Sequence, residues 1–290
     1  MDIVRFRGGL GNQMFQYAFL KALSSRGRKV MGSLGRYSKC GQAAQFCLSK
    51  VFENVAFEIV DEKKFEEINQ RWREIKQDKS RLKDFLELSE KRFFWVETLP
   101  GFYDENVFKT KNCTFVGYWQ TEKYFYQIRE ELLKDFQFSF GEERLLSLKK
   151  KLLADDCYVS IHIRRGDYLQ YQKGYGNICT EQYYKTAVQC MKEKVREPVF
   201  IFFSDDIGWV KEHYKISNAM YIEAGMFKNY QAWYDMCLMS CCSHHIIANS
   251  TFSWWGAWLN QSSKKKVIAP KVWHNEYEMA DVCPESWIRL

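Results

Sequence analysis

The 290-residue chain lacks the features that mark membrane, secreted and disordered proteins. It contains no run of about 20 consecutive apolar residues, so we predict no membrane-spanning helix. Residues 1–7 lack the apolar segment and small-residue cleavage site of a signal peptide, and we therefore expect a cytoplasmic protein. With 46% hydrophobic and 17% aromatic residues, the composition also excludes a mainly disordered chain.

Neither the cysteines nor the charges follow a pattern that indicates a special partner. The ten cysteines have no regular spacing, which favours free thiols in a reducing compartment over a disulfide framework. Cys237 and Cys241 fit the apolar stripe of a helix, so we expect no metal site there. The net charge of +7 comes from Lys and Arg residues interleaved with Asp and Glu, which argues against a nucleic-acid-binding face.

The order of apolar runs predicts an α/β protein. After Cys157, short apolar runs alternate with helical patterns, which predicts a parallel sheet covered by helices on both faces. A further strand and helix open the chain, and the charged segment 61–95 predicts one or two surface helices. Only four prolines and no Gly/Ser-rich linker occur, so we expect two lobes, 1–150 and 151–290, joined by a short hinge near residues 142–155.

Candidate binding residues follow the predicted strands, because parallel sheets bind ligands beyond the carboxyl ends of their strands. In the first half, Gly8, Gly9 and Gly11 form a turn between a strand and a helix, where backbone N–H groups can approach an anion or a sugar. Asn12 follows directly and favours binding. A turn that merely needs a positive φ is the alternative.

The segment His162-Ile163-Arg164-Arg165-Gly166-Asp167-Tyr168 ends the next predicted strand. Strand alternation places Ser160 and His162 on one face and Ile161 and Ile163 on the other. Two arginines at a strand end suit a diphosphate, because guanidinium stays charged and forks onto phosphate oxygens. The alternative is an ion pair between Arg165 and Asp167 with His162 as a core residue.

Two further sets of polar residues follow the later strands. Ser204 and Asp205 end one strand, where either residue can cap the next helix or bond a ligand, and we expect no metal there. Asp235 lies off the apolar stripe of a helix and is either solvent-exposed or a reader of a purine edge. At another helix N-terminus, small polar side chains can hold phosphate or merely cap the helix, and these are Asn249, Ser250, Thr251 and Ser253.

Taken together, these motifs resemble the bacterial α-1,2-fucosyltransferases, in the family that also holds the animal H-antigen enzymes. The matching blocks span the chain in the family order: Gly8 to Ala18, Gly117-Tyr118-Trp119-Gln120, His162 to Tyr168, Phe203 to Asp206, and Asn249 to Leu259.

The resemblance implies a GT-B architecture with two Rossmann-like lobes facing across a cleft. The C-terminal lobe would bind GDP-β-L-fucose and the N-terminal lobe a galactose-containing acceptor, without a metal or other cofactor. Transfer would proceed with inversion to the galactoside 2-hydroxyl, in surface-polysaccharide synthesis, which is compatible with peripheral association at the inner membrane face. A fucosyltransferase of another linkage and a non-catalytic nucleotide-sugar or glycan-binding protein are the alternatives.

The same resemblance implies roles for individual residues. Arg164 and Arg165 would neutralise the diphosphate, and one of them would be the main stabiliser of the leaving group. The other donor-binding residues would be Gly9, Gly11, Asn12, His162, Ser204, Asp205, Asp235, Asn249, Ser250, Thr251 and Ser253. Asp167 is the first candidate for the general base, although the nearby arginines stabilise its charge, and Glu181 and Glu122 remain open.

Overall fold

The computed structural model describes residues 1–35, 46–63, 93–139 and 141–290, together with 65, 67 and 70. These residues form two compact units, 1–137 and 138–290. The division lies before the hinge expected at residues 142–155, because the helix Glu143–Leu153 packs within the second unit, against the helix Trp233–Cys241. The predicted helices between 61 and 95 lie mostly outside the described residues.

The first unit is built on a parallel four-stranded sheet of order β2-β1-β4-β3. The strands are β1 (Asp2–Arg5), β2 (Val30–Ser33), β3 (Phe93–Val96) and β4 (Cys113–Val116). Helix α1 (Leu10–Ser24) follows β1 and is buried over most of its surface, as the apolar positions of the sequence predict. The short helices α2 (Leu48–Val51) and α3 (Arg129–Asp135) complete the described elements of this unit, with 3-10 turns at Glu105–Phe108, Glu122–Tyr124 and Tyr126–Ile128.

The second unit contains a parallel six-stranded sheet of order β10-β9-β8-β5-β6-β7. Its strands are β5 (Tyr158–Ile163), β6 (Val199–Ser204), β7 (Met220–Tyr221), β8 (His244–Ile246), β9 (Val267–Ala269) and β10 (Ile288–Arg289). After β5, the chain first adds β6 and β7 on one side of β5 and then adds β8, β9 and β10 on its other side. Because such a reversal opens a crevice at the carboxyl ends of the two central strands, β5 and β8 mark the expected ligand site.

Helices cover both faces of this sheet. They are α4 (Glu143–Leu153), α5 (Gly166–Gln170), α6 (Glu181–Lys194), α7 (Ile207–His213), α8 (Trp233–Cys241) and α9 (Thr251–Leu259), with a 3-10 turn at Ala224–Met226. Ile161 and Ile163 of β5 pack with Tyr184 of α6. His162 points the other way, with its ring 5.8 Å from that of Phe252 in α9. The predicted alternation of β5 is therefore confirmed.

Both sheets confirm the predicted α/β class with parallel strands. Within the described part of the chain, no helix has the length and apolar character needed to cross a bilayer. The described cysteines are all free thiols.

Candidate functional site

The candidate site of the second unit lies where β5, β6 and β8 end. β5 pairs with β6 along its whole length and with β8 on its other side, so their last residues share one edge of the sheet. The residues that follow these strands include Arg164, Asp205 and Asn249. The structure therefore brings together three sequence segments that were predicted separately.

Arg164 lies at the centre of a charged network at this edge. Its Nη2 is 2.8 Å from Asp167 Oδ1, and its Nη1 is 3.0 Å from Asp205 Oδ2. Arg164 directly follows β5, and its positive charge helps to lower the pKa of the His162 imidazole. A third of the Arg164 side chain, 34%, stays exposed, so its guanidinium can also reach a ligand.

Arg165 is held by a different set of groups. Its Nε donates to Asp206 Oδ2 at 3.0 Å, and its guanidinium lies 3.5 Å from the centre of the Trp209 ring. Its backbone N–H donates to Asp205 Oδ1 at 2.9 Å. The predicted alternative of an Arg165–Asp167 ion pair is wrong: Asp167 pairs with Arg164, because the helical turn that starts at Gly166 brings residue 167 back over residue 164.

The Ser204-Asp205-Asp206 segment shapes this network. Asp206 is the N-cap of α7, since its side chain accepts from the Trp209 backbone N–H. Ser204 Oγ accepts from the Asp206 backbone N–H. The prediction that Ser204 or Asp205 caps the helix is therefore wrong by one residue, because Asp205 turns to the arginines instead.

Two buried polar atoms on the α8–α9 side of the sheet have no partner. His162 Nδ1 and Asp235 Oδ1 are enclosed, and neither has a hydrogen bond to another described residue. Leaving such groups unpaired costs about 1–3 kcal/mol each, which indicates that a ligand completes them. Asp235 is 7% exposed, so the alternative of a solvent-exposed carboxylate is wrong.

Burial sets the protonation of this pair. It lowers the pKa of His162 to about 3, with Arg164 contributing, so His162 is neutral at physiological pH. It raises the pKa of Asp235 to about 7, against the opposing hydrogen bond from Tyr230. Near neutral pH, the His162 imidazole is therefore neutral, whereas the Asp235 carboxyl group is close to the midpoint of its ionisation.

The polar cluster at the start of α9 separates into two kinds of residue. The Asn249 amide donates to the carbonyls of Tyr175 and Trp273, and Ser253 Oγ donates within the helix turn. These two side chains are therefore occupied by protein groups. Ser250 and Thr251 carry no side-chain hydrogen bond to the described residues, and they flank the N-terminus of α9, where a ligand oxygen is favoured.

A cavity of about 330 Å³ lies on the α6 side of β5, within the second unit. Arg164, Arg165 and Asn249 line it, whereas His162, Asp235, Ser250 and Ser253 do not. Its other lining residues come mainly from the segment 168–184 and from α7. The predicted donor-binding residues therefore fall into two groups. Arg164, Arg165 and Asn249 line the cavity on the α6 side of β5, and His162 lies on the other side of β5, beside Phe252.

The Gly-rich turn of the first unit positions Asn12. Gly8 has a φ of 81°, and a Cβ there would lie 2.6 Å from Asn12 Nδ2, so only glycine fits. Gly9 is the N-cap of α1, and Gly11 is buried in the first turn of the helix. Asn12 Oδ1 accepts from Gln120 Nε2 at 2.8 Å, which joins two of the motif blocks.

Two glutamines of the first motif act as internal braces. Gln13 donates to the Gly8 carbonyl and accepts from the backbone N–H groups of Cys47 and Leu48. Gln16 links Arg7 and Gly117 in the same way. Both amides are completely buried, so their roles are structural.

Glu97 is a candidate that the sequence did not reveal. Its carboxylate accepts from the backbone N–H groups of Tyr118 and Trp119 at 2.6 and 3.2 Å. Burial raises the pKa of Glu97, while the two N–H groups and Arg7 oppose that rise. A single carboxylate after a short strand has no distinctive sequence pattern. Only the contacts of Glu97 in the structure identify it as a candidate.

Within the described ranges, no three His, Cys, Asp or Glu side chains are grouped so that they could hold a metal ion. The carboxylates at the strand ends are instead engaged by the two arginines.

Comparisons with known proteins show which family the sequence matches. The model of glycosyl transferase family 11 matches residues 1–290. The chain is 35% identical to an alpha-1,2-colitosyltransferase of Escherichia coli, over 99% of this chain and 98% of that protein. It is 29% identical to the O-antigen biosynthesis glycosyltransferase WbnK of Escherichia coli, over 98% of both chains. It is 26% identical to galactoside alpha-(1,2)-fucosyltransferase 1 of Leontopithecus chrysomelas, over 87% of this chain and 63% of that protein.

Proposed function

Since the chain belongs to glycosyl transferase family 11, which confirms the predicted resemblance, we propose that it transfers L-fucose from GDP-β-L-fucose to the 2-hydroxyl of a galactoside. The relative that acts in O-antigen biosynthesis supports a surface-polysaccharide acceptor. The observation that carries the proposal is that two buried polar atoms, His162 Nδ1 and Asp235 Oδ1, lack a hydrogen-bond partner, and that Arg164 acts on His162.

This pair suits the guanine base of the donor. Ionised Asp235 can accept the two neighbouring N–H groups of a guanine edge, and neutral His162 offers one further donor or acceptor. An adenine edge lacks that pair of donors. The geometry therefore favours a guanosine diphosphate sugar, with the base read on the α8–α9 side of the sheet.

Arg164 is the better candidate to stabilise the leaving diphosphate. Its charge acts on His162, and its guanidinium remains partly exposed while it contacts Asp167 and Asp205. Ser250 and Thr251, with the N-terminus of α9, would bind further phosphate or sugar oxygens. Arg165 is anchored by Asp206 and Trp209, so its contribution is the smaller one.

The transfer inverts the anomeric centre and needs a group that removes the acceptor hydroxyl proton. Asp167 remains a candidate, and its carboxylate forms a salt bridge to Arg164. The hydrogen bond from Lys185 lowers the pKa of Glu181 and disfavours that alternative. Glu122 stays open, and Glu97 joins it, because burial raises the pKa of Glu97 and a carboxylate with a raised pKa is a stronger base. Asn12 would contact the donor near the reacting carbon.

The two units divide these tasks in the proposal. The second unit, 138–290, binds the donor, and the first unit, 1–137, binds the acceptor. No divalent metal or other cofactor takes part. The protein acts in the cytoplasm, and the basic excess of +7 supports contact with the inner membrane face, where lipid-linked acceptors are found.

A colitosyl donor is the second candidate, because an alpha-1,2-colitosyltransferase is similar over nearly the whole chain. Competition between GDP-fucose and GDP-colitose for the same galactoside distinguishes the two donors. The preferred donor is the one with the larger kcat/KM.

Incubation with GDP-fucose and lactose, with and without EDTA, tests the proposal. We expect GDP release and a fucosylated product whose NMR spectrum shows an α-1,2 linkage, at the same rate in EDTA. Arg164→Ala should lose about 10²–10³-fold in kcat, the size of effect seen when one charge-stabilising group is removed. The matched control is Arg144→Ala, a change at an exposed arginine of α4 outside the site.

Three outcomes would count against it. Binding of GDP-fucose without turnover on any galactoside would favour a non-catalytic binding protein. A product with another linkage would reject the 2-hydroxyl as the acceptor. Full turnover by Arg164→Ala would reject the role of Arg164.

A further inference from the structure

Basic loops lie at the edge of the first sheet where its strands begin. β1, β2 and β4 are parallel neighbours, and their first residues share one edge of the sheet. The loop 25–29 leads into β2, and the loop 109–112 leads into β4. The Gly-rich turn lies at the opposite end of β1, where the strand meets α1. We call the two loops and the tyrosines beside them, Tyr103 and Tyr126, the basic face.

A buried ion pair holds the two loops together. Arg28 Nε donates to Asp2 Oδ2 at 2.6 Å, and its terminal nitrogens donate to the carbonyls of Phe108 and Thr110. The other Asp2 oxygen accepts from the Cys113 backbone N–H at 2.8 Å. The basic face is therefore preformed, and a partner would not have to order it.

The basic face carries positive charge that no carboxylate neutralises. Three of its side chains are exposed and form no ion pair with another described residue: Arg26, Lys29 and Lys111. Of the acidic residues beside them, Glu105 is paired with Lys109 at 3.2 Å. Asp104 accepts from the Asn106 backbone N–H and so caps a 3-10 turn. The surplus charge attracts an anionic partner.

Exposed tyrosine rings accompany these charges. Tyr126 is 58% exposed, and Tyr103 is 36% exposed. The Arg26 guanidinium lies 3.8 Å from the centre of the Phe108 ring and reaches Gln127, the neighbour of Tyr126. The charge of Arg26 also opposes the rise that burial causes in the pKa of Tyr103, so these groups share one face.

An anionic bilayer surface matches both properties. Lys and Arg side chains are attracted to anionic headgroups over about a Debye length. A tyrosine has an apolar ring and a polar tip, which suits the boundary between headgroups and acyl chains. Both loops lie at the strand ends opposite the Gly-rich turn, so contact with lipid there leaves that turn open to substrates.

We propose that the basic face docks the protein on an anionic bilayer through Lys29, Lys111 and Tyr126. The inference deepens the proposed function, because it names the surface that contacts the membrane where lipid-linked acceptors are found. β1 then points its amino end towards the headgroups and its carboxyl end away from them.

Co-sedimentation with vesicles tests the docking directly. One set of vesicles contains equal parts of phosphatidylglycerol and phosphatidylcholine, and the other contains phosphatidylcholine alone. The test variant is Lys29→Gln with Lys111→Gln. The matched control, Lys150→Gln with Lys151→Gln, removes the same charge from exposed lysines of α4 in the second unit.

We expect the wild type to bind the anionic vesicles and to bind the neutral ones far more weakly. The test variant should bind the anionic vesicles about 30-fold more weakly, because each basic side chain at such a surface contributes about fivefold. The control variant should bind them nearly as well as the wild type. Turnover of lactose and thermal unfolding should be the same in both variants.

A second pair of variants tests the tyrosine contact. Tyr126→Ser should weaken binding, and its effect should persist in about 1 M salt, where the Debye length falls to about 3 Å. The lysine effect should disappear there. Tyr171→Ser is the matched control, because Tyr171 is a 53% exposed tyrosine of the second unit. It should bind like the wild type.

Equal binding of the wild type to neutral and anionic vesicles would overturn the proposal. Equal weakening in the two lysine variants would also overturn it, since binding would then follow the net charge and not the basic face. The vesicle assay needs neither donor nor acceptor. A protein that fucosylates lactose without binding vesicles therefore refutes the docking alone, and one that binds vesicles without turnover refutes the proposed function alone.

Discussion

Replacing Asp235 by asparagine should stabilise the protein while impairing recognition of the donor. Burial raises the pKa of Asp235 from its ordinary value of 3.8 to about 7. A carboxyl group with a raised pKa in the folded state loses its contribution to stability as the pH rises from about 4 to about 7. A shift of about three pKa units corresponds to about 4 kcal/mol, because each unit is worth about 1.4 kcal/mol.

The asparagine side chain of the Asp235→Asn variant would mimic the neutral carboxyl group at every pH, so the difference in the free energy of unfolding should depend on pH. Urea unfolding of Asp235→Asn and wild type should give similar values near pH 4. Near pH 8, the variant should be more stable by up to about 4 kcal/mol. A difference that is constant between pH 4 and pH 8 would refute the assignment of the raised pKa to this group.

Donor binding should act on the same proton. A guanine that donates two hydrogen bonds favours the ionised carboxylate, so binding lowers the pKa of Asp235 and releases a proton. Titration calorimetry with GDP-fucose in buffers of different ionisation enthalpy should show about 0.5 proton released at pH 7 and nearly one at pH 6. Asp235→Asn should bind more weakly and release none. Proton release by the variant, or none by the wild type, would reject the contact between Asp235 and the base.

Three other substitutions test the packing around the site. Gln13→Leu should lower the free energy of unfolding by about 1–3 kcal/mol, because it leaves buried backbone groups unpaired, and urea denaturation measures this. Gly8→Ala should lower the thermal midpoint and reduce turnover, because the new methyl group meets Asn12, whereas a methyl group at Gly208 has open space and Gly208→Ala serves as the control. Lys265→Met should destabilise the protein by about 1–3 kcal/mol in urea denaturation, because the Lys265 ammonium donates to carbonyl groups at the end of α9.

Local patterns predicted the strands and the faces of their side chains well. The alternation around His162 depends only on the backbone of a strand, and it placed His162 away from Ile163 as the structure shows. The parallel sheet of the second unit followed from the order of apolar runs for the same reason. The predicted N-cap of α7 was wrong by one residue. Asp206 caps the helix, because the Asp205 carboxylate accepts a hydrogen bond from Arg165, 40 residues earlier in the chain.

Contacts between distant segments could not be read from the sequence. The hydrogen bond between Asn12 and Gln120 joins residues that are 108 positions apart. The Asn249 amide donates hydrogen bonds to the carbonyls of Tyr175 and Trp273, which lie in two different loops. Glu97 became a candidate only through the N–H groups of Tyr118 and Trp119. The residue types indicated which side chains could bind a ligand. Which of those side chains are free of protein hydrogen bonds depends on tertiary contacts.

The opposite directions of neighbouring side chains in β5 have a consequence for how this segment can change. A single-residue deletion between Tyr158 and Ile163 would move each later side chain to the other layer and would disturb both sides of the sheet at once. Substitutions preserve that order, so Ile161 or Ile163 on one side of the strand can be altered while His162 on the other side is kept. Directed evolution of this chain should therefore sample replacements in β5 and confine insertions and deletions to the loops.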